Sequence, residues 1–360
     1  MVYAMFSIGI LGFIVWSHLS LLFTILKIIL DLWVVALFFC EEKVINFANW
    51  RQIWIIIDTL ICKILVSKIK AARNIWLNKK YLSSSSETKR ETSFKFSLFL
   101  DKYYNKTGKE APDFYWLIWF IGFSEGDGAI LTYEGRLRFV LTQKEGSILK
   151  HIQGVLGFGN LREFKNYSRL IVENKQEIIL LYHLFNGNLV LEHRKSQLSQ
   201  WQEVLNKEFN LKLELINRLL LPSLSDAWLS GFTDAEGCFN VNIEQRLNTK
   251  TGYRVVLRFI LDQKEASNLF LHIRDLFGYG QVNLRSNTNS IYRYHVNTFK
   301  GLITVRNYFL TYPLKTKKKE SFNKWNKVYD MVLNKEHLVS EGLNNIRIIA
   351  KEINKENSLE

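Results

Sequence analysis

The chain runs to 360 residues, with 48 Lys and Arg against 34 Asp and Glu and a formal net charge of +14. That surplus favours a polyanionic partner, either nucleic acid or an acidic membrane surface. Three cysteines, Cys40, Cys62 and Cys238, have no metal-ligand spacing and make no even framework, and the seven histidines are scattered with none beside a nucleophile, so a zinc site and a disulfide scaffold are both excluded.

Residues 1–39 carry only Lys27 and Asp31 as charges. A bilayer span needs about 20 apolar residues, and Val2–Trp16 with its flanks, or Leu21–Phe39, approaches one. With no basic start and no small-residue cleavage site, the segment is not a cleavable secretory signal. The run from Met1 to His18, closing on Phe13-Ile14-Val15-Trp16-Ser17-His18, resembles cytochrome c oxidase subunit 1. The resemblance stops after His18, as it would in an intron reading frame continuing in phase from its upstream exon. A copper site at His18 is not expected, because its partner histidine is missing. Residues 1–40 are therefore read as an exon-derived, hydrophobic helical segment able to associate with a membrane.

Residues 41–111 are basic and mixed. Ile53 to Ala72 has enough apolar residues for a helix, and Ser83 to Ser93 reads as a flexible polar linker. The region needs no fold of its own.

From residue 112 the chain says nearly the same thing twice, in repeats spanning 112–221 and 222–350. The first copy opens with Trp116-Leu117-Ile118-Trp119-Phe120-Ile121-Gly122-Phe123-Ser124-Glu125-Gly126-Asp127-Gly128. The second opens with Ala227-Trp228-Leu229-Ser230-Gly231-Phe232-Thr233-Asp234-Ala235-Glu236-Gly237. Each string predicts an apolar helix ending in an acid and a glycine. Gly122 and Gly231 let two such helices meet backbone to backbone, while Gly128 and Gly237 suit left-handed caps. Phe114 to Phe123 is too short to span a membrane, so a buried interface helix is the better reading. Asp127 and Glu236 would converge at the foot of that interface, where paired carboxylates suit a hard cation. Glu125 and Asp234 sit about 200° round the helix from those acids and are read as caps or salt-bridge partners.

Beyond each helix the periodicity changes to two. Arg136 and Arg138 alternate with Leu137, Phe139 and Leu141; Asn240 and Asn242 alternate with Phe239, Val241 and Ile243; Arg254 and Arg258 alternate with Val255, Leu257, Phe259 and Leu261. One face is core and the other basic and amide-rich. Arg, Asn and Gln make bidentate contacts with guanine and adenine edges. Arg285 and Arg293 extend the candidate DNA-binding set. A plain solvated face is the alternative, and the repeated motifs favour groove reading over it. Leu141-Thr142-Gln143-Lys144-Glu145 and Gly157-Phe158-Gly159 in the first copy match Leu261-Asp262-Gln263-Lys264-Glu265 and Gly278-Tyr279-Gly280 in the second. The second copy has a longer stretch between motif and glutamine, centred on the turn-rich Asn248 to Gly252. Near its end comes a lysine run, Lys315, Lys317, Lys318, Lys319, Lys324 and Lys327, open to phosphate contact or to plain solvation.

The strings Phe120–Gly128 and Leu229–Gly237 fill the nine positions of the LAGLIDADG signature, and two of them in one chain identify a resemblance to single-chain LAGLIDADG homing endonucleases. The resemblance implies an α+β fold of two pseudo-symmetric αββαββα half-domains with antiparallel DNA-binding sheets, and a monomer that is its own dimer. It also implies double-strand DNA cleavage with Mg²⁺ (or Mn²⁺), with Asp127, Glu236, Gly126 and Ala235 as the metal set. Gln143 and Gln263, with Lys144 and Lys264, would polarise the attacking water, and Lys318, whose repeat mate is Arg194, would supply a cation. The target expected is a long asymmetric site in the intronless oxidase subunit 1 gene, in mitochondria. An RNA maturase acting on its own intron RNA is the alternative function.

Overall fold

The computed structural model describes residues 94–353. The two apolar runs, the oxidase-like stretch, the Ile53–Ala72 helix and the polar linker lie outside the described residues. The first described helix, α1 (Ser97–Thr107), buries Phe99 and Tyr103, and Phe94 and Phe96 just ahead of it are buried too. This segment is fastened to the first repeat. The Lys95 amide donates to Asn188 Oδ1 at 2.9 Å, and Asn188 Nδ2 donates back to the Lys95 carbonyl at 2.7 Å. Tyr103 adds a hydroxyl bond to the Leu156 carbonyl.

The first repeat runs α2 (Phe114–Asp127), β1 (Gly128–Tyr133), β2 (Arg136–Gln143), α3 (Gly146–Leu156), β3 (Asn160–Glu163), β4 (Ser168–Val172), α4 (Lys175–Phe185) and α5 (Glu192–Phe209). The second runs α6 (Trp228–Glu236), β5 (Gly237–Gln245), β6 (Tyr253–Lys264), α7 (Ser267–Phe277), β7 (Gln281–Leu284), β8 (Ile291–Val296), α8 (Phe299–Thr311), α9 (Lys318–Leu333), a 3₁₀ turn at Glu336–Leu338 and α10 (Ser340–Glu352). Each repeat thus has the expected αββαββα order, followed by one further helix in the first repeat and by two helices and the 3₁₀ turn in the second. The sheets are antiparallel throughout and share one topology, β1-β2-β4-β3 and β5-β6-β8-β7.

Side chains alternate along the long strands as the period-two pattern requires. In β2, Leu137, Phe139 and Leu141 are buried while Arg136 and Arg138 are exposed. Phe139 meets Phe120 of α2 and Phe185 of α4, so the inner face of the sheet packs on the helices. In the second repeat Phe239 and Phe259 pack with Phe309, and Phe239 also meets Phe322 and Trp325. The helices α3 and α7 end on Gly157 and Gly278, with φ of +73° and +70°, which explains the repeated Gly-aromatic-Gly strings. The longer β5–β6 hairpin is covered by the last described helix, with Arg347 of α10 stacked 4.4 Å from the centre of the Tyr253 ring.

Candidate nuclease site

Helix α2 has no polar face, and Trp116 to Glu125 are all buried. A helix apolar all round belongs inside a protein, and what covers it is α6. The two cross at their glycines. A Cβ on Gly122 would meet the Trp228 carbonyl oxygen and, at 2.9 Å, the Phe232 nitrogen; one on Gly231 would meet the Trp119 carbonyl oxygen and, at 2.8 Å, the Phe123 nitrogen. One turn on, a Cβ on Gly126 would strike the Ala235 Cβ and stand 3.1 Å from the Glu236 Cγ. Small side chains at these positions are what let the backbones touch. Helix α2 starts on an aspartate cap, Asp113 accepting the Trp116 amide, whereas the cap position of α6 is Ala227 and Asp226 just before it accepts the Trp228 amide.

The expected left-handed caps at Gly128 and Gly237 do not form. Both residues are extended, with φ of −82° and −89°, and each is the first residue of a strand. Glycine is required there by crowding: a Cβ on Gly128 would collide with the Ser124 carbonyl oxygen, and one on Gly237 would lie 2.8 Å from that of Thr233.

Asp127 and Glu236 end the two helices side by side. Burial pushes the Asp127 carboxyl above its usual range, opposed by the positive charge of Lys318, a hydrogen bond from Gln143 and the charge of Arg194. Burial, and then the neighbouring Asp127, push Glu236 up to about 7, again against Lys318 and Arg194. Gln143 Nε2 donates to Asp127 Oδ2 and Gln263 Nε2 to Glu236 Oε1, the second contact stretched to 3.5 Å. Each glutamine continues the inner face of its strand beyond Leu141 or Leu261, which delivers it to the helix foot. Lys144 and Lys264 are exposed, and Lys264 pairs with Glu265 at 3.5 Å.

Lys318 is drawn inside. Its ammonium donates to the carbonyls of Ala235 at 2.7 Å and Thr233 at 3.2 Å, and burial lowers its pKa against the pull of Asp127, Asp234 and Glu236. Its mate Arg194 does the same in the first repeat, reaching the carbonyls of Glu125 at 3.0 Å and Gly126 at 3.2 Å. Arg194 therefore belongs beside Lys318 in the site. The sequence carries that signal only through repeat alignment. The carbonyls of Gly126 and Ala235 already accept these cations.

Glu125 and Asp234 are buried hydrogen-bond acceptors. Glu125 takes the Val190 and Leu191 amides and the Trp228 indole; Asp234 takes the Lys315 and Thr316 amides, the Thr316 hydroxyl and the Trp119 indole. They cap turns, and neither makes a salt bridge among the described residues.

Among the described residues no cluster of three or more His, Cys, Asp or Glu side chains forms. A cation at the helix foot would rest on Asp127 and Glu236 with water completing its shell, the habit of Mg²⁺. The donor set fits such an ion, because two buried carboxylates, one of which raises the proton affinity of the other, are relieved by a divalent charge.

The outer sheet faces collect the remaining candidates. Arg136 and Arg138 stand on β2; Asn240, Asn242, Arg254 and Arg258 face outward on β5 and β6; Arg293 lies on β8, with Arg285 just beyond β7. Arg162 and Arg169, which the sequence reading missed, sit directly opposite each other on β3 and β4. Like charges in register repel, so that pair is suited to an anionic ligand. The two faces differ in how their arginines are held. In the second repeat Arg258 pairs with Glu244 at 3.1 Å, and Arg293 and Arg285 share Asp262 at 2.6 and 3.5 Å. In the first repeat Arg138 pairs with Glu173, while Arg136, Arg162 and Arg169 have no acidic partner among the described residues. Arg169 lies instead 5.0 Å from the centre of the Tyr167 ring.

Known proteins resemble the chain in sequence and in fold. The family model described as LAGLIDADG endonuclease matches residues 229–329. A probable intron-encoded endonuclease of Neurospora crassa is 38% identical over 243 residues, covering 66% of this chain, and the chain spans only 44% of that protein's length. An uncharacterised cox1 intron-2 protein of Schizosaccharomyces pombe is 28% identical over 83% of this chain and 88% of its own. The intron-encoded RNA maturase bI4 of Saccharomyces cerevisiae is 24% identical over 65% of this chain and 36% of its own. Among solved structures, the LAGLIDADG meganuclease I-AabMI bound to uncleaved DNA superposes with a TM-score of 0.58 at 26% identity, over 66% of this chain and 99% of that one. Two nine-residue motifs, two matched sheets and these likenesses agree, and the chain carries a LAGLIDADG endonuclease domain.

Proposed function

We propose that the protein is an intron-encoded, site-specific DNA endonuclease that makes a double-strand break with the help of a divalent metal, Mg²⁺ or Mn²⁺. The observation that carries this reading is the pairing of Asp127 and Glu236 at the foot of the α2–α6 interface, each with its own glutamine and its own buried cation. One half serves each strand. Asp127 and Glu236 would hold the divalent ions, whose chemistry would be activation of water and neutralisation of charge on the leaving oxygen. Gln143 and Gln263 orient the two carboxylates. Lys318 and Arg194 keep positive charge beside the acids and so favour their ionised, ligating form. The outer arginines and asparagines, Arg162 and Arg169 included, grip and read the duplex. One chain supplies both halves, so a monomer suffices. The DNA-bound meganuclease of like fold supports duplex DNA as the partner.

The target we propose is the uninterrupted oxidase subunit 1 gene, in mitochondria, with one half-site encoding the Phe13 to His18 run. The resemblance of residues 1–18 and the cox1 intron relative support it. A second reading, assistance in splicing its own intron, is favoured by the similarity to a maturase. The deciding experiment incubates the protein and Mg²⁺ with plasmids carrying the intronless or the interrupted gene. Cutting of the intronless template alone is expected; equal cutting of both, or of neither, overturns the target, and accelerated splicing without cutting supports the second reading.

A further inference from the structure

Two residues of the motif helices hold neither metal nor DNA in this reading, yet they are the most buried acids among the described residues. Glu125 is 1% exposed and Asp234 is 3% exposed. Burying a carboxylate in an apolar interface costs several kcal/mol unless every oxygen is satisfied, and helix packing alone needs no such group. Each oxygen is satisfied, and the donors come from both repeats. Glu125 Oε2 accepts the Trp228 indole at 2.6 Å, from the opposite repeat. Its Oε1 accepts the amides of Val190 at 2.8 Å and Leu191 at 2.6 Å, from its own. Asp234 mirrors this with the Trp119 indole at 2.8 Å from the opposite repeat and the Lys315 amide at 2.8 Å from its own.

The amides so held lie in the turns that launch α5 and α9, and the first turn of each helix carries the buried cation. The Arg194 amide donates to the Leu191 carbonyl at 3.0 Å, and the Lys318 amide donates to the Thr316 hydroxyl oxygen at 3.2 Å. The cations then return to the motif helices through the carbonyls of Gly126 and Ala235. Each repeat thereby closes a ring of carboxylate, turn, cation and helix end, and each ring is completed by a tryptophan of the other repeat.

We propose that Glu125 and Asp234 are positioning residues that couple the two cleavage centres, each fixing its own repeat's cation, Arg194 or Lys318, against the tryptophan of the other. The inference rests on the nuclease reading above. Loss of one indole N–H relaxes one turn, and the cation that relaxes belongs to the repeat opposite the altered tryptophan.

The test uses Trp228→Phe and Trp119→Phe in the full chain, which keep an aromatic ring and remove the N–H. On a duplex labelled separately on each strand, Trp228→Phe is expected to slow the strand that Arg194→Gln slows, and Trp119→Phe the other strand. The slowing should be about tenfold, the scale of one lost hydrogen bond to a charged group, with the dissociation constant for DNA unchanged. A purely structural role lowers the folded fraction and slows both strands alike; equal slowing, or none, overturns the proposal. Amide resonances give an independent readout. Trp228→Phe should move those of Val190 and Leu191 and leave Lys315 and Thr316 in place, with the reverse for Trp119→Phe. Shifts that do not cross between repeats in this way also overturn the proposal. If the unaltered protein cuts neither strand, the nuclease reading fails by itself and the brace is judged by the resonances.

Discussion

Asp127 and Glu236 stand out in the sequence because both repeats close a largely apolar helix on an acid immediately before the final glycine. Removing either charge tests that reading with little change of shape. Asp127→Asn or Glu236→Gln is expected to abolish double-strand cleavage, leaving at most nicks, while DNA affinity, which comes from the sheets, changes less than about threefold as measured by gel shift. Full cutting by either variant would remove the residue from the site. What the sequence does not disclose is the role of Glu125 and Asp234, since their partners Trp228 and Trp119 come from the opposite repeat and no local pattern joins them. Arg194 is marked only as the repeat mate of Lys318, because a lone arginine at a helix start is ordinary until its turn is seen folding back on Gly126.

The same buried acids give the free protein a pH signature. Glu125 is pushed by burial from 4.5 to about 7. Below 4.5 it is protonated whether the chain is folded or not. Between 4.5 and 7 the unfolded chain ionises first, so stability falls as pH rises, by on the order of 3 kcal/mol if the full shift is realised. Above 7 both states are charged and the loss stops. Glu236, also raised to about 7, acts in the same direction. Thermal melts of metal-free protein should therefore decline from pH 4.5 to 7, and Glu236→Gln should flatten part of that slope. An unchanged slope would show that Glu236 ionises as easily in the fold as outside it.

Among elements, the motif helices were readable in full because repetition marks their ends, and the long strands because their arginines and apolar residues alternate. The error at Gly128 and Gly237 has a physical source. Glycine after a helix signals either a left-handed turn or a close approach, and only coordinates show the chain running straight into a strand past the Ser124 and Thr233 carbonyls. The α2–α6 contact is the least forgiving in the molecule. Gly231→Ala sets a methyl against the Trp119 carbonyl and should cost about 2–4 kcal/mol, the upper range for overpacked cores, in urea unfolding. Gly154→Ala, where a Cβ meets nothing within 4 Å, is the matched control and should be neutral or better.

For the whole molecule, the boundary of the folded unit was the part least legible in sequence. Residues 94–107 follow a serine-rich linker and look like its continuation, yet Phe94, Phe96, Phe99 and Tyr103 are buried. Deleting residues 1–93 is expected to leave both the melting temperature of this unit and DNA cleavage intact. Deleting residues 1–110 strips these aromatics and should cost at least about 3 kcal/mol, seen as a lower urea midpoint.

The unequal housing of the surface arginines has a consequence in time. A guanidinium already neutralised by Glu244 or Asp262 attracts a distant phosphate weakly, whereas Arg136, Arg162 and Arg169 project uncompensated charge. On the proposed function, the first repeat makes landfall and skates along the duplex, and the second engages only when its arginines exchange a protein acid for a base edge. Arg162→Ala with Arg169→Ala should then slow association and flatten its dependence on salt. Arg258→Ala with Arg293→Ala should leave association alone and quicken departure from the cognate site. Stopped-flow binding at several salt concentrations separates the two, and equal effects on both rates would mean that the enzyme grasps its target with both halves at once.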